Sequence, residues 1–157
     1  MVSGTRAGLA ERLFEGAAPL VERLRAESPF ISGTAMVARA RKILAELPVA
    51  EQVAVINAHP RIGESADRVR AKSSHSFREQ GYDRDTTPPE VFERLAQLND
   101  AYEEKFGFRF VVFVNGRPKV AILPVLEARL RGSRGEEIEA ALAEIVAIAE
   151  DRLRQET

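Results

Sequence analysis

Few side chains in this sequence can do chemistry near neutral pH. There are two histidines, His59 and His75, and no cysteine. His59 opens the run His59-Pro60-Arg61-Ile62-Gly63, and the polar stretch after it ends in Ser76-Phe77-Arg78-Glu79-Gln80. Imidazole is the one side chain whose unperturbed pKa places proton transfer near pH 7, so His59 is the candidate acid/base. A hydrogen-bonded core histidine at a helix end fits the same pattern. Ser76, Glu79 and Gln80 are spaced i, i+3 and i+4, which on a helix puts three hydrogen-bonding groups on one face. Such a face could hold a small polar ligand, although S-x-x-E is also the signature of a capping box. His75 would point elsewhere, as a solvated side chain. A nucleophilic triad of Ser76, His59 and Glu79 can be written, but the strained strand-to-helix elbow that usually presents the serine is missing. The lack of cysteine excludes thiolate catalysis, disulfides and Cys-bound zinc, and two histidines cannot furnish a His-rich metal site. No acidic cluster stands at ligand spacing, and no Gly-rich phosphate loop is present.

The elements that must position these groups read as helices. Leu9, Leu13 and Phe14 are about a helical turn apart, and Pro19 can open a helix near 18–26 with Leu20, Val21 and Leu24 inward. Ser28-Pro29-Phe30 breaks it. Met36, Val37, Ala40, Ile43, Leu44 and Leu47 keep a 3.6-residue period from Thr34 until Pro48. A helix over about 49–58 then turns Val49, Val53 and Ile56 inward. His59 continues that stripe, and Pro60 stops the helix because the residue before a proline is pushed out of α geometry. The negative end of the helix dipole should raise the pKa of a histidine placed there.

Residues 63–74 are polar and read as a loop or a frayed helical turn. Thr87-Pro88-Pro89-Glu90 combines a T-x-x-E capping box with a proline at the first helical position. The helix after it carries Val91, Phe92, Leu95, Leu98, Tyr102 and Phe106 on one face and ends at Gly107. Residues 108–114 are the one strand-like run, closed by the Asn115-Gly116 turn signal. With no second strand to pair with, the run should be a buried extended segment. A helix over about 119–131 carries Ile122, Leu126 and Leu130, with Pro124 in its first turn or kinking it. Ser133-Arg134-Gly135-Glu136 is another capping box, and the last helix turns Ile138, Ala141, Leu142, Ile145, Ile148 and Ala149 inward. Steps of seven from Ile138 lead through Ile145 to Arg152. A charge in that column must be paired or line a cavity, unless the helix end frays and its long stem reaches solvent.

The fold class that follows is all-α: a bundle of seven to eight short helices with one extended buried segment, in a single domain over residues 1–157. The chain is long enough for a sizeable core. Its 23 basic and 24 acidic residues nearly cancel, which removes the electrostatic case for nucleic acid or an anionic membrane surface. No apolar run approaches a membrane span. The absence of cysteine, with no peroxisomal tripeptide at the end, fits the cytoplasm.

In chain order, the sequence carries Leu13-Phe14-Glu15, Pro29-Phe30, Ala58-His59-Pro60 with Gly63, and Ser76-x-x-Glu79-Gln80. Leu98-Asn99-x-x-Tyr102-x-x-Lys105-Phe106-Gly107-Phe108, Arg129-Leu130 and Arg152-Leu153 follow. This ordered set resembles the 2-oxo-4-hydroxy-4-carboxy-5-ureidoimidazoline (OHCU) decarboxylase family over nearly the whole chain. The match is most specific in the block from Asn99 to Phe108. The resemblance implies an all-helical homodimer that converts its substrate to (S)-allantoin with no metal or organic cofactor. It implies His59 as catalytic acid/base and Glu79 as the group that orients it. It also implies substrate contacts from Pro60, Ser76, Gln80 and Arg152, and from backbone groups of Val111, Val112, Phe113, Val114 and Asn115.

The chain departs from the family pattern at Arg61-Ile62-Gly63, at Gly81-Tyr82-Asp83-Arg84-Asp85, and at Arg109, where the family usually has proline. Those positions bear on the pocket rim. Two rival readings therefore stand beside the first: a same-fold enzyme for another small ureido or carboxylate compound, and a helical binding module.

Overall fold

A computed structural model of the chain describes residues 8–63 and 87–156. Ser76, Glu79, Gln80 and His75 lie outside the described residues. Among the described residues there are seven helices: α1 (Leu9–Leu13), α2 (Ala18–Glu27), α3 (Gly33–Glu46), α4 (Val49–Asn57), α5 (Pro89–Phe106), α6 (Lys119–Arg129) and α7 (Arg134–Gln155). Two are long, α5 with 18 residues and α7 with 22.

Each helix starts and stops for a local reason. The Ser32 hydroxyl accepts from the Ala35 N–H and caps α3. Ser133 and Glu136 complete the capping box expected at the head of α7. At the head of α5 the expected Thr87 box does not form. Pro88 is the N-cap, extended at φ −63° and ψ 148°, and no side-chain cap bond is made to it. The cause is the Pro-Pro pair: Pro89 forces the residue before it out of α geometry, so the helix cannot begin until Pro89 itself. Gly107 ends α5 in the left-handed conformation, φ 80°, as its position after the periodic run required. Pro124 lies beyond the first turn of α6, because extended Pro118 has already started that helix at Lys119. Pro124 and Val120, whose carbonyl it leaves without the usual donor, both lie on the exposed side, where water can reach that carbonyl.

The apolar stripes meet in one core. Helix α7 packs along α3 and against α4 and α1, and α2 packs on α1, α3 and α4. Helices α5 and α6 form a second pair. In α4 the inward register differs from the expectation. Ile56 is buried and Val53 packs partly buried on the core as expected, but Val49 is 51% exposed, and Gln52 and Val55 are buried in its place. The Gln52 amide donates to the Leu44 carbonyl at 2.8 Å, so a polar side chain can occupy the inner face because its hydrogen bond is met there.

Residues 108–114 cross the interior as an extended segment with no strand partner among the described residues. Phe108 and Phe110 turn toward α5, where Tyr102 lies 5.9 Å and 5.4 Å from their ring centroids in edge contacts. Asn115 and Gly116 then turn the chain with φ 51° and 74°.

A buried polar group ties α5, α6 and α7 together. The Tyr102 hydroxyl donates to Glu137 Oε1 at 2.7 Å, and Arg129 Nε donates to the same oxygen. Arg129 also lies 5.0 Å from the centroid of the Phe110 ring. Burial, and then the bond to Glu137, push the Tyr102 pKa up, so its proton stays on the hydroxyl. Removing Glu137 would strand a buried guanidinium and a buried phenol at once. Glu137→Ala should therefore cost about 3 kcal/mol of stability, read as a lowered urea midpoint. Glu51→Ala, which breaks only the exposed pair with Arg23, should leave that midpoint near its parent value. Equal effects from the two substitutions would contradict this assignment.

Candidate active site

His59 follows α4 directly, and the helix end decides its geometry. Ala58 and His59 close the last turn through N–H bonds to Val55 and Ile56 at 3.2 Å each. Pro60 then stops the chain from continuing as helix, and both His59 and Pro60 are buried. His59 is 7% exposed, as its place three residues after Ile56 implied.

The imidazole Nδ1 lies 3.3 Å from the Val55 carbonyl oxygen. A carbonyl only accepts, so this bond requires the proton on Nδ1. The neutral ring then carries its lone pair on Nε2, the nitrogen left to act on a ligand.

The electrostatics reverse the expectation from the helix dipole. The His59 pKa is lowered to about 4, first by burial and then by repulsion from the Arg152 guanidinium, against the smaller pull of the Val55 and Ile56 carbonyls. A helix end stabilises a cation by an amount that fades within a turn and assumes access to water. Here the loss of hydration and a second cation outweigh it.

Arg152 is the residue that the apolar periodicity of α7 singled out. It does not reach solvent. It is 2% exposed, and Nη1 donates to the Leu13 carbonyl at the end of α1 at 3.0 Å. The site thus takes His59 from the end of α4 and a cation from the last turn of α7, with α1 supplying a carbonyl that steadies the cation.

The chain after His59 is clamped by α5. The Asn99 amide donates to the Ile62 carbonyl at 3.0 Å, and Arg61 pairs with Glu103 and Asp100. Gly63 has φ 80°, and a Cβ there would sit 3.0 Å from Leu95 Cδ1. Arg61 and Gly63, noted as departures on the rim, therefore serve the seating of this loop on α5. Asp100 and Glu103 carried no signal in the sequence beyond being exposed-face acids.

On the extended segment, three carbonyls find side-chain donors. Arg117 donates to the Phe113 carbonyl at 2.6 Å and to the Val114 carbonyl at 2.9 Å, and Arg129 reaches the Val111 carbonyl at 3.5 Å. Among the described residues, no hydrogen bond is made by the N–H groups of Phe110, Val111, Val112, Phe113 or Val114. Buried N–H groups rarely go without a partner, so this row of donors suits a ligand with carbonyl or ring-nitrogen acceptors. Asn115 is exposed in the turn. Sequence reasoning also missed Lys119, which is 2% exposed with its ammonium 5.7 Å from the centroid of the Phe92 ring. Its position at the first turn of α6 resembled any solvated helix start. Among the described residues, no group of three or more His, Asp or Glu is placed to hold a metal ion.

Comparison with known proteins agrees with the architecture. Residues 5–154 match the OHCU decarboxylase family profile. The chain is 30% identical over 145 residues to a 2-oxo-4-hydroxy-4-carboxy-5-ureidoimidazoline decarboxylase of Halalkalicoccus jeotgali, covering 92% of this chain and 81% of that one. It is 32% identical over 142 residues to the uric acid degradation bifunctional protein PucL of Bacillus subtilis, covering 90% of this chain and 28% of that longer one. A crystal structure of OHCU decarboxylase in the presence of (S)-allantoin superposes with a TM-score of 0.73 at 25% identity, covering 92% of this chain and 94% of that one.

The buried histidine leads to a pH prediction. The unfolded chain binds a proton at the ordinary value of 6.5, whereas folded His59 does so only near 4. Between those values the unfolded state holds more protons, so the His59 contribution to stability declines as pH falls from about 6.5 to about 4. Across the window the loss is about 3 kcal/mol. Urea unfolding at pH 7 and pH 4.5 should show a steeper acid loss in the parent than in His59→Asn. Parallel losses would mean that His59 titrates near its ordinary value.

Proposed function

The chain belongs to the OHCU decarboxylase family, a carboxy-lyase family of urate degradation. From that premise we propose that His59 is its acid/base, with the neutral Nε2 as the working atom. The observation that carries this reading is the bond from Nδ1 to the Val55 carbonyl, which fixes the tautomer inside a buried site that also holds Arg152.

The substrate has a hydroxyl and a carboxylate on ring carbon C4, and a ureido group on C5, which is double-bonded to a ring nitrogen. Breaking the bond from C4 to the carboxylate releases CO2. Its electron pair forms a C4=C5 double bond while the C5=N pair moves onto the nitrogen, which takes up a proton. The ring itself thus accepts the electrons, and no external electron sink is needed. The resulting enol becomes allantoin when the hydroxyl proton leaves C4–OH and a proton adds to C5. Neutral Nε2 can accept the first and deliver a proton to one face of C5, which sets the (S) hand.

The other groups take supporting roles. Arg152 balances the charge of the entering carboxylate, and that anion in turn offsets the repulsion that disfavours imidazolium at His59. The N–H groups of Val111, Val112, Phe113 and Val114, with Asn115 at the turn, receive the carbonyl edges of the ring and ureido group. Pro60 packs against the ligand beside His59. Glu79 orients the imidazole, and Ser76 and Gln80 hydrogen-bond the substrate. These three rest on the sequence motif. The burial of His59 and Arg152 keeps both largely out of water, which strengthens their contacts with a ligand.

A homodimer in the cytoplasm completes the proposal. The lack of cysteine fits a reducing compartment, and light scattering tests the assembly. The catalytic test is chiral. Substrate made freshly by urate oxidase and hydroxyisourate hydrolase is mixed with the protein, and circular dichroism is followed. The parent should produce one-handed allantoin faster than the spontaneous reaction. His59→Ala should lose about 10²- to 10⁴-fold in rate while keeping its helical spectrum. An active His59→Ala would remove this residue from the mechanism.

A further inference from the structure

We propose that Arg109 is a positioning residue for His59, a strut that fixes the distance between the acid/base and the backbone donors of residues 110–114. The proposal rests on the reading of His59 as the acid/base. Arg109 Nη1 donates to two carbonyls of the α4 end, Asn57 at 3.2 Å and His59 itself at 3.0 Å. The Arg109 backbone N–H donates to the Asn57 side-chain oxygen at 3.0 Å. One residue of the extended segment therefore makes three bonds to the last helical residue of α4 and to His59.

The chemistry of a helix end explains why such a residue is needed. The last carbonyls of α4 have no donors within the helix. Water can reach the exposed Asn57, but the chain passes from there directly to buried His59, and the Arg109 guanidinium bridges the two. A guanidinium offers several N–H donors from one rigid plane, and its charge suits the negative end of the dipole. The bond from Nδ1 to Val55 holds the imidazole ring, and Arg109 holds the backbone from which the ring hangs.

The other side of the strut is equally fixed. Phe108 and Phe110 flank Arg109 in the chain, and both lock into the rings of α5. In extended backbone, successive side chains alternate sides. Arg109 accordingly points away from that aromatic cluster and across to α4. The next residues carry the N–H groups that have no partner among the described residues. The length of the Arg109 bridge thus sets how far Nε2 lies from the ligand that those donors would hold. A proline at 109 would supply neither the N–H nor the guanidinium.

The test compares Arg109→Met, which keeps the aliphatic stem, with Arg109→Lys, which keeps one cationic donor, and with His59→Ala. Activity and the handedness of allantoin are both followed, and urea unfolding confirms that each variant is folded at the assay temperature. Arg109→Met should lower kcat by about ten- to a hundredfold, with KM little changed and a lower enantiomeric excess. Arg109→Lys should recover much of both. Unchanged kcat and handedness in Arg109→Met would overturn the proposal, and so would a rise in KM alone, which would make Arg109 a substrate contact. If Arg109→Met does not fold, Arg109→Lys decides: lowered kcat and handedness with KM preserved support the strut, and parental values overturn it. An active His59→Ala would instead overturn the reading beneath it.

Discussion

The last carbonyls of a helix have no donors within it, and the rest of this structure depends on how α4, whose end passes from exposed Asn57 to buried His59, meets that need. The Val55 carbonyl takes the His59 ring N–H, and the Asn57 and His59 carbonyls take Arg109. One turn further, the Ile62 carbonyl takes Asn99 from α5. Each satisfied carbonyl also fixes a part of the site: the tautomer of the histidine, its backbone, and the loop that follows it. The groups that stabilise this helix end are the same ones that orient His59.

Burial has a second effect, on charge. Taking the imidazole out of water removes the stabilisation that a cation needs, and Arg152 repels it further. Among the described residues, burial and Arg152 thus keep His59 a neutral base, with its lone pair on Nε2. A histidine at a solvated helix end would have been partly protonated near neutral pH, and its lone pair partly lost.

The extended segment works as a platform because its surroundings hold it flat without sheet pairing. Below it lies the Tyr102–Glu137–Arg129 group, with the rings of Phe106, Phe108 and Phe110 around Tyr102. Arg117 and Arg129 engage its carbonyls. Its N–H groups from 110 to 114 make no hydrogen bond among the described residues, and the proposed substrate contacts use those donors. Several residues that carry the family resemblance hold neighbouring elements together: Asn99 bonds the Ile62 carbonyl, Tyr102 and Arg129 share Glu137, and Gly107 ends α5.

The sequence by itself determined the helical architecture, because apolar period and local stop signals act over a turn or two. Pro48, Pro60, Gly107 and the Ser133 box ended or began helices where their own stereochemistry required. It also placed His59 on the buried stripe of α4 and marked Arg152 as a charge in an apolar column, and the motif order pointed to the family. It misjudged the inner face of α4, where Gln52 replaces Val49, because only the Leu44 carbonyl across the helix pair makes a buried amide acceptable. It read the His59 pKa in the wrong direction, because desolvation and Arg152 come from elements remote in sequence. Glu137, Asp100 and Glu103 carried no signal of a role, and Arg109 stood out only as a departure on the rim, since a charge acquires a role only when folding brings its partner to it. Local stereochemistry is written along the chain; the hydration and charge around a side chain are set by what packs on it, and only the tertiary structure decided those.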